Sequence, residues 1–263
     1  MVVVAIIIGS LKWLKLKQVC VYFVNLPKEL SGLRILHISD LHGNSRFLMN
    51  VDIWKKIEPL HFDMAVISGD LTVRKYSQLR PHLDGLEKLA ERVPVFFADG
   101  NHDGAYYDTL TKKLSKYGAK TPEDGTARLY GEKLAVVCYR DLEYLENNGG
   151  LDGENPRANY DKKNDAFLIA VYHQPQYLDH LAVKPDMSFC GHTHGGQIRL
   201  PFCRTLYAPG QGFMPKYGDG LYDFDGKKMY ISRGVGTTVF PVRFFNRPEI
   251  TVIELRKGTG PQN

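Results

Sequence analysis

The chain has 263 residues, enough for one large domain or two small ones with a sizeable core. Hydrophobic residues make up 43% and charged residues 24%, the balance of an ordinary globular protein. The net charge of +5 is a mild excess, and with no basic–aromatic stripe it argues against a nuclease, leaving a preference for anionic substrates or an anionic membrane as the sharper reading of a solvated surface.

Four cysteines, Cys20, Cys138, Cys190 and Cys203, form no C-x-x-C pair, so no disulfide framework is expected. Cys138 and Cys190 lie in apolar, strand-like runs and read as buried thiols, which argues weakly for a reducing compartment.

The N-terminus, "MVVVAIIIGSLKWLKLK", is apolar up to Lys12. That run is shorter than the roughly 20 residues needed to span a bilayer. It also lacks the basic start and small-residue cleavage site of a secretory signal. Trp13 and the lysines around it suit an interfacial segment at headgroup level, so residues 1–17 read as a membrane-attaching segment; a short tail packed on the domain is the alternative.

Residues 18–257 alternate between strand-like and helix-like patterns. "QVCVYFV" and "LRILHIS" read as strands, Arg46–Ile57 as a helix, "DMAVIS" as a strand and Tyr76–Arg92 as a helix. "VPVFFA" is a strand and Ala105–Tyr117 a helix. "ARLYGEKLAVVCYR" reads as a hairpin, followed by strands at "AFLIAVY" and "DMSFC" with a helical piece "QYLDHL" between them. Leu142–Asp165 is polar and rich in Gly, Asn and Asp, as expected of an exposed, lid-like loop. "LYDFDGKKMYIS" reads as a hairpin turning at Asp225-Gly226, and "EITVIEL" as a last strand. Residues 258–263 are expected to be a disordered tail. Alternating β and α early, then β-rich late, suggests an α/β fold of two packed sheets with helices outside.

Five of these strands end in metal-type side chains. Asp40 and His42 follow the second, Asp70 the third, and Asn101, His102 and Asp103 the fourth. His173 follows "AFLIAVY", and His192 and His194 follow "DMSFC" within "GHTHGGQI". In open α/β sheets, ligands bind beyond the carboxyl ends of strands, so these clusters should converge on one edge. Oxygen and imidazole donors without cysteine suit Mn, Fe, Zn, Co or Ni rather than a thiolate-bound structural zinc. They are too many for one ion and about enough for two. Glycines beside Asp70, Asn101 and His192 allow tight turns after each strand.

The order D-x-H, G-D, G-N-H-D, H, G-H-T-H resembles the calcineurin-like metallophosphoesterase superfamily, over roughly Leu33 to Leu255. "LPKELSGLRILHISDLH", "GHTHGGQIRLP" and "SRGVGTTVFPVRFFNRPEITVIEL" resemble its YkuE-type subfamily, bacterial and often membrane-associated. The resemblance implies a four-layer αββα sandwich of two mixed β-sheets flanked by helices. It implies two divalent metal ions, with Mn favoured: Asp40, His42 and His194 on the first, Asp70 bridging, and Asn101, His173 and His192 on the second. His102 matches a histidine that is not a ligand and assists the leaving group. Asp103 is expected to stand behind the ligands and orient a neighbouring imidazole. Asp99 departs from the pattern, where an apolar or small residue is common.

The expected activity is metal-dependent hydrolysis of a phosphodiester or pyrophosphate by a hydroxide bridging the two ions, on a lipid-linked or cell-envelope substrate. Arg199, Arg233 and Arg243 are candidates for holding the phosphate, with structural pairing the alternative reading. The expected location is a membrane surface, by peripheral or N-terminal attachment, and otherwise the cytoplasm. A metal-binding scaffold without turnover is the alternative function, with a nuclease, disfavoured by the weak charge, the third.

Overall fold

A computed structural model describes residues 14–43, 52–72, 77, 79–147, 166–181, 183–196, 199, 205–236, 243 and 245–260. The first sheet contains β1 (Lys15–Phe23), β2 (Arg34–Ile38), β3 (Met64–Ser68), β4 (Val95–Ala98) and β13 (Glu249–Lys257), in the order β1-β13-β2-β3-β4. The second contains β5 (Thr126–Leu129), β6 (Leu134–Cys138), β7 (Phe167–Val171), β8 (Met187–Cys190), β11 (Gly220–Phe224) and β12 (Lys227–Ile231), in the order β11-β12-β8-β7-β6-β5. Both sheets are mixed. β2, β3 and β4 are parallel, as are β6, β7, β8 and β12, while β13, β5 and β11 each pair antiparallel to a neighbour. A small hairpin, β9 (Tyr207–Ala208) and β10 (Gly212–Phe213), stands apart.

Strand periodicity explains the layers. Every residue of β3 is buried, and alternate side chains leave on opposite faces. Met64 and Val66 point between the sheets, where they join Ile35, Phe96, Val136, Ile169, Phe189 and Ile253. Ala65 and Ile67 point the other way and meet the helices α1 (Ile53–Ile57), α2 (Arg80–Arg92) and α3 (Tyr107–Lys116) through Ile53, Leu86, Leu89, Leu110 and Leu114. The outer face of the second sheet is covered by Leu142, Leu178 and Leu181. The result is the expected αββα sandwich.

The differences from the sequence reading are local. α1 begins at Ile53, capped by Asp52, whose carboxylate accepts from Trp54 N at 3.1 Å and Lys55 N at 3.4 Å; the expected start at Arg46 lies outside the described residues. α2 begins at Arg80. The polar stretch from Leu142 starts as a helix, α4 (Leu142–Asn147), because buried Leu142 gives it an apolar anchor on the second sheet; residues 148–165 lie outside the described residues. β1 begins at Lys15, so Lys15–Lys17 are paired with Glu249–Thr251. β9 and β10 have two residues each, too few for an alternation signal. Asp225-Gly226 turns the β11–β12 hairpin as expected, with φ of 52° and 86°. Cys138 and Cys190 are buried free thiols, Cys20 is exposed, and Cys203 lies outside the described residues.

One polar side chain sits deep between the sheets. His37 Nε2 is 2.8 Å from Ser68 Oγ, its ring edges meet Phe189 and Tyr230, and its Nδ1 has no hydrogen-bond partner. Burial pushes its pKa down to about 3. The folded state therefore keeps His37 neutral where the unfolded chain would bind a proton. Its contribution is intact above the ordinary histidine pKa and declines as pH falls below it. Between pH 6.5 and about 5, the wild type should lose about 1–2 kcal/mol that a His37→Phe variant retains. Urea midpoints at the two pH values measure this; parallel losses in both proteins would contradict it.

Candidate metal centre

The parallel strands deliver their ends to one edge. Asp40 and His42 lie just past β2, Asp70 past β3, His102 past β4, His173 past β7, and His192 and His194 past β8. Backbone bonds stitch these ends together. Asp40 N donates to Gly69 O, His42 N to Asp70 O, and Gly191 N to His173 O, all at 2.9–3.0 Å. The two sheets meet here as well: His173 Nδ1 donates to Ser68 O at 2.7 Å.

Two triads of donor atoms converge, Asp40 with His42 and His194, and Asp40 with Asp70 and His173. All five residues are buried. Asp70 Oδ2 lies 3.2 Å from His173 Nε2 and 3.7 Å from His42 Nε2, so it reaches members of both triads. Asp40 Oδ1 lies 3.3 Å from His194 Nε2. His192 joins from the side, its ring edge-on to His173 at 5.1 Å, and its backbone N–H donates to the Asp40 carboxylate at 3.2 Å.

The backbone at these positions is unusual. Asp40, His42, Asp70, His192 and His194 all have φ between 49° and 69°, a region that non-glycine residues rarely take. Such conformations persist where the surrounding structure fixes them, and they cluster at functional sites. Here the glycines do the fixing. Gly69, Gly100, Gly191 and Gly234 leave no room for a side chain against His173, Asp70, Ser39 and Asp40.

Electrostatics set the donors up as ligands. Burial holds His42 at a pKa of about 4 and His192 at about 3, and pushes His194 well below its ordinary value, so all three are neutral near pH 7. His42 Nδ1 faces Thr72 O at 3.2 Å, which leaves its Nε2 as a lone pair. That nitrogen stands 3.0 Å from His194 Nε2. Burial alone would raise Asp70 and lower His173, but each is overridden by the other: His173 is held up, and Asp70 well below the carboxylate range. Burial, with Asp70 nearby, pushes Asp40 up to about 6. The buried Nε2 of His192 has no hydrogen-bond partner, and that of His173 faces the Asp70 carboxylate at 3.2 Å. Imidazole nitrogens around two buried carboxylates are the donor set a divalent cation satisfies.

The sequence model for the calcineurin-like phosphoesterases matches residues 33–196, which include every residue of both triads. The chain belongs to this family. It is 29% identical over 244 residues to the uncharacterized metallophosphoesterase YkuE of Bacillus subtilis, covering 88% of this chain and 82% of that protein. It is 30% identical over 253 residues to a transmembrane protein with metallophosphoesterase domain of Danio rerio, covering 88% of this chain and 55% of that one. It is 28% identical over 291 residues to the UDP-2,3-diacylglucosamine pyrophosphatase LpxG of Chlamydia muridarum, covering 87% and 86%. As a calcineurin-like phosphoesterase, the chain is a hydrolase of phosphoric esters.

In this phosphoesterase, Asn101 is exposed at the rim and His102 half-buried, with the His102 backbone N–H donating to Asp70 Oδ1 at 3.0 Å. Asp103 does not orient an imidazole. Its carboxylate accepts from Leu71 N, Thr72 N, Gly100 N and Thr72 Oγ1, all within 3.2 Å, and so clamps the β3 and β4 loops together. Asp99 is buried and accepts from Asp141 N at 3.2 Å. Thr193 points away from the donors, its hydroxyl donating to Gly218 O at 2.5 Å. Each of the three arginines has a structural partner. Arg199 and Arg233 both pair with Asp219. Arg243 is buried and donates to Gly236 O at 2.5 Å, and its Nη2 stands 3.3 Å from His194 Nδ1. Ser39 and Asn246 went unnoticed in the sequence. Ser39 Oγ donates to Asp40 Oδ2 and Asn246 Nδ2 to His194 O, both at 2.5 Å.

Gly191→Ala isolates the role of the close backbone. Its Cβ would overlap Ser39 Oγ and stand 2.5 Å from Asp40 Oδ2. Displacing a group that supports a ligand weakens metal binding by roughly tenfold or more. Calorimetric titration with manganese should show that loss; unchanged affinity would mean that Asp40 tolerates the shift.

Proposed function

We propose that the chain hydrolyses phosphodiesters or pyrophosphates with two divalent cations, held by Asp40, His42 and His194 on one side and Asn101, His173 and His192 on the other, with Asp70 shared. The observation that supports this is the pair of buried triads that share Asp40, with Asp70 of the second reaching His42 of the first at 3.7 Å. Cations bound there supply an acidified water and offset charge on the phosphoryl oxygens. Manganese is favoured on the family resemblance; oxygen and nitrogen donors without thiolate suit it as they suit Fe, Zn, Co or Ni.

The protein's own part is to fix these groups and manage one proton. Neutral His42, His192 and His194 present lone pairs without first losing a proton at neutral pH. Asp103 keeps the loops carrying Asp70 and His102 in register. His102 is tethered by its backbone to Asp70, and its ring stands edge-on to His42 at 5.3 Å, at the solvent side of the cluster. From there it donates a proton to the departing oxygen.

A lipid-linked substrate at a membrane surface is part of the same reading. The name of LpxG, a diacylglucosamine pyrophosphatase, and that of the Danio rerio transmembrane protein support it. So does the apolar segment that ends at Lys12 and Trp13. Among the described residues, no helix is long and apolar enough to cross a membrane.

Two experiments test the chemistry. Excess chelator should abolish hydrolysis of bis(4-nitrophenyl) phosphate and added manganese should restore it, while Asp70→Asn should be the most damaging single ligand change; normal turnover by that variant would refute a shared carboxylate. His102→Ala should keep its metal content and lose roughly 10²–10⁴-fold in turnover, less with a good leaving group. A variant that purifies with metal missing would make His102 a ligand instead.

A further inference from the structure

Among the described residues, the large apolar side chains that stay exposed are unevenly placed. They are Leu16, Val24, Tyr130, Tyr207, Phe213, Met214, Leu221 and Phe245. Val24 follows the carboxyl end of β1 and Tyr130 sits in the β5–β6 turn, both at the edge far from the metal centre. Leu16, Tyr207, Phe213, Met214 and Phe245 lie at the edge that carries it, and Leu221 lies along β11, the outermost strand of the second sheet.

Three connections establish this. The β9–β10 turn lies over the donors, since a Cβ on Gly210 would stand 3.4 Å from His192 Nε2. From that hairpin Phe213 and Met214 project with 81% and 79% of their surface exposed, and Tyr207 pairs with Phe213 ring to ring at 5.7 Å. Phe245 sits between Arg243 and Asn246, both of which contact His194. The third is the start of β1. β1 runs parallel to β13, and β13 antiparallel to β2, so Lys15 lies at the end of the sheet where Asp40 follows β2. Lys15 N donates to Pro248 O at 2.8 Å, two residues from Asn246.

Residues 1–13 therefore join the fold through Leu14 at the metal-centre edge. Their sequence holds the apolar run "VVVAIII" with Lys12 and Trp13. Exposed Lys15 and Lys216 flank the apolar side chains on the same edge. We propose that this edge docks on an anionic bilayer, with Phe213 and Met214 of the β9–β10 hairpin inserting beside the point where the N-terminal segment enters. The metal centre then opens toward the headgroups, and a phosphoester at that depth reaches it while its apolar part stays in the bilayer. This rests on the membrane reading above and adds to it the face, the inserted residues and the direction of the site.

Flotation of the full chain with vesicles of equal parts phosphatidylcholine and phosphatidylglycerol tests it. Wild type and Val24→Ser should float alike. Phe213→Ser/Met214→Ser should partition about tenfold or more weakly, while hydrolysing bis(4-nitrophenyl) phosphate as wild type does. A Phe213→Trp variant should gain fluorescence that brominated lipids quench, beyond that of the native tryptophans. If wild type does not float, the membrane reading falls with this inference. If wild type floats and the double variant floats equally, or Val24→Ser loses as much, or the emission added by Phe213→Trp is unquenched, this inference alone falls. Concentration-dependent dimerisation in sedimentation that the double variant abolishes would also overturn it, assigning the face to a second copy of the chain.

Discussion

Asp40 and Asp70 lie side by side with almost no access to water, and the rest of the site is arranged to make that tolerable. A carboxylate taken out of water is strongly disfavoured unless it is hydrogen-bonded or paired. Asp70 has both remedies, the His102 backbone N–H on one oxygen and His173 beside the other. Asp40 has the Ser39 hydroxyl and the His192 N–H, but no cationic partner as close as the one Asp70 has in His173, and it stays closer to protonation. Two acids this near each other and a ring of neutral imidazoles form a balanced set once divalent charge is added.

Bringing those groups together is what the two-sheet architecture does. A single sheet edge could supply Asp40, Asp70 and His102, but His173, His192 and His194 come from the second sheet. The inter-sheet core of Val66, Phe96, Ile169 and Phe189 therefore fixes the spacing between the two halves of the ligand set. Sub-ångström placement of this kind needs rigid elements and supporting contacts rather than mobile loops. The left-handed turns after β2, β3 and β8 extend that rigidity past the strand ends, with Gly100, Gly191 and Gly234 pressed directly against the carboxylates.

The same edge carries most of the exposed apolar side chains and receives the N-terminal segment. On the proposed docking, catalysis and surface attachment share one face, which would suit a substrate whose phosphate sits at a boundary between water and lipid. Arg199 and Arg233 are held by Asp219 and Arg243 by a backbone carbonyl, the structural pairing that is the alternative reading of these residues.

The sequence determined the strands and most of the donors. Fully buried strands such as "MAVIS" announce themselves as apolar runs, and Asp, Asn and His placed just past such runs have few purposes other than a site. It also determined the Asp225-Gly226 turn, because only residues that accept positive φ fit a two-residue hairpin. It did not determine that Leu142 starts a helix, since one buried anchor in a polar stretch leaves no periodic signal. Nor could it tell how an arginine near a motif is paired; Arg199 meets Asp219 and buried Arg243 meets His194 because of contacts distant in the chain. The resemblance implies that Asp103 orients an imidazole, yet the fold turns its carboxylate onto backbone amides. Local chemistry and periodicity are written residue by residue. Which side chains face each other across two sheets, and which edge the hairpin's Phe213 shares with His192, depends on packing that no short stretch encodes.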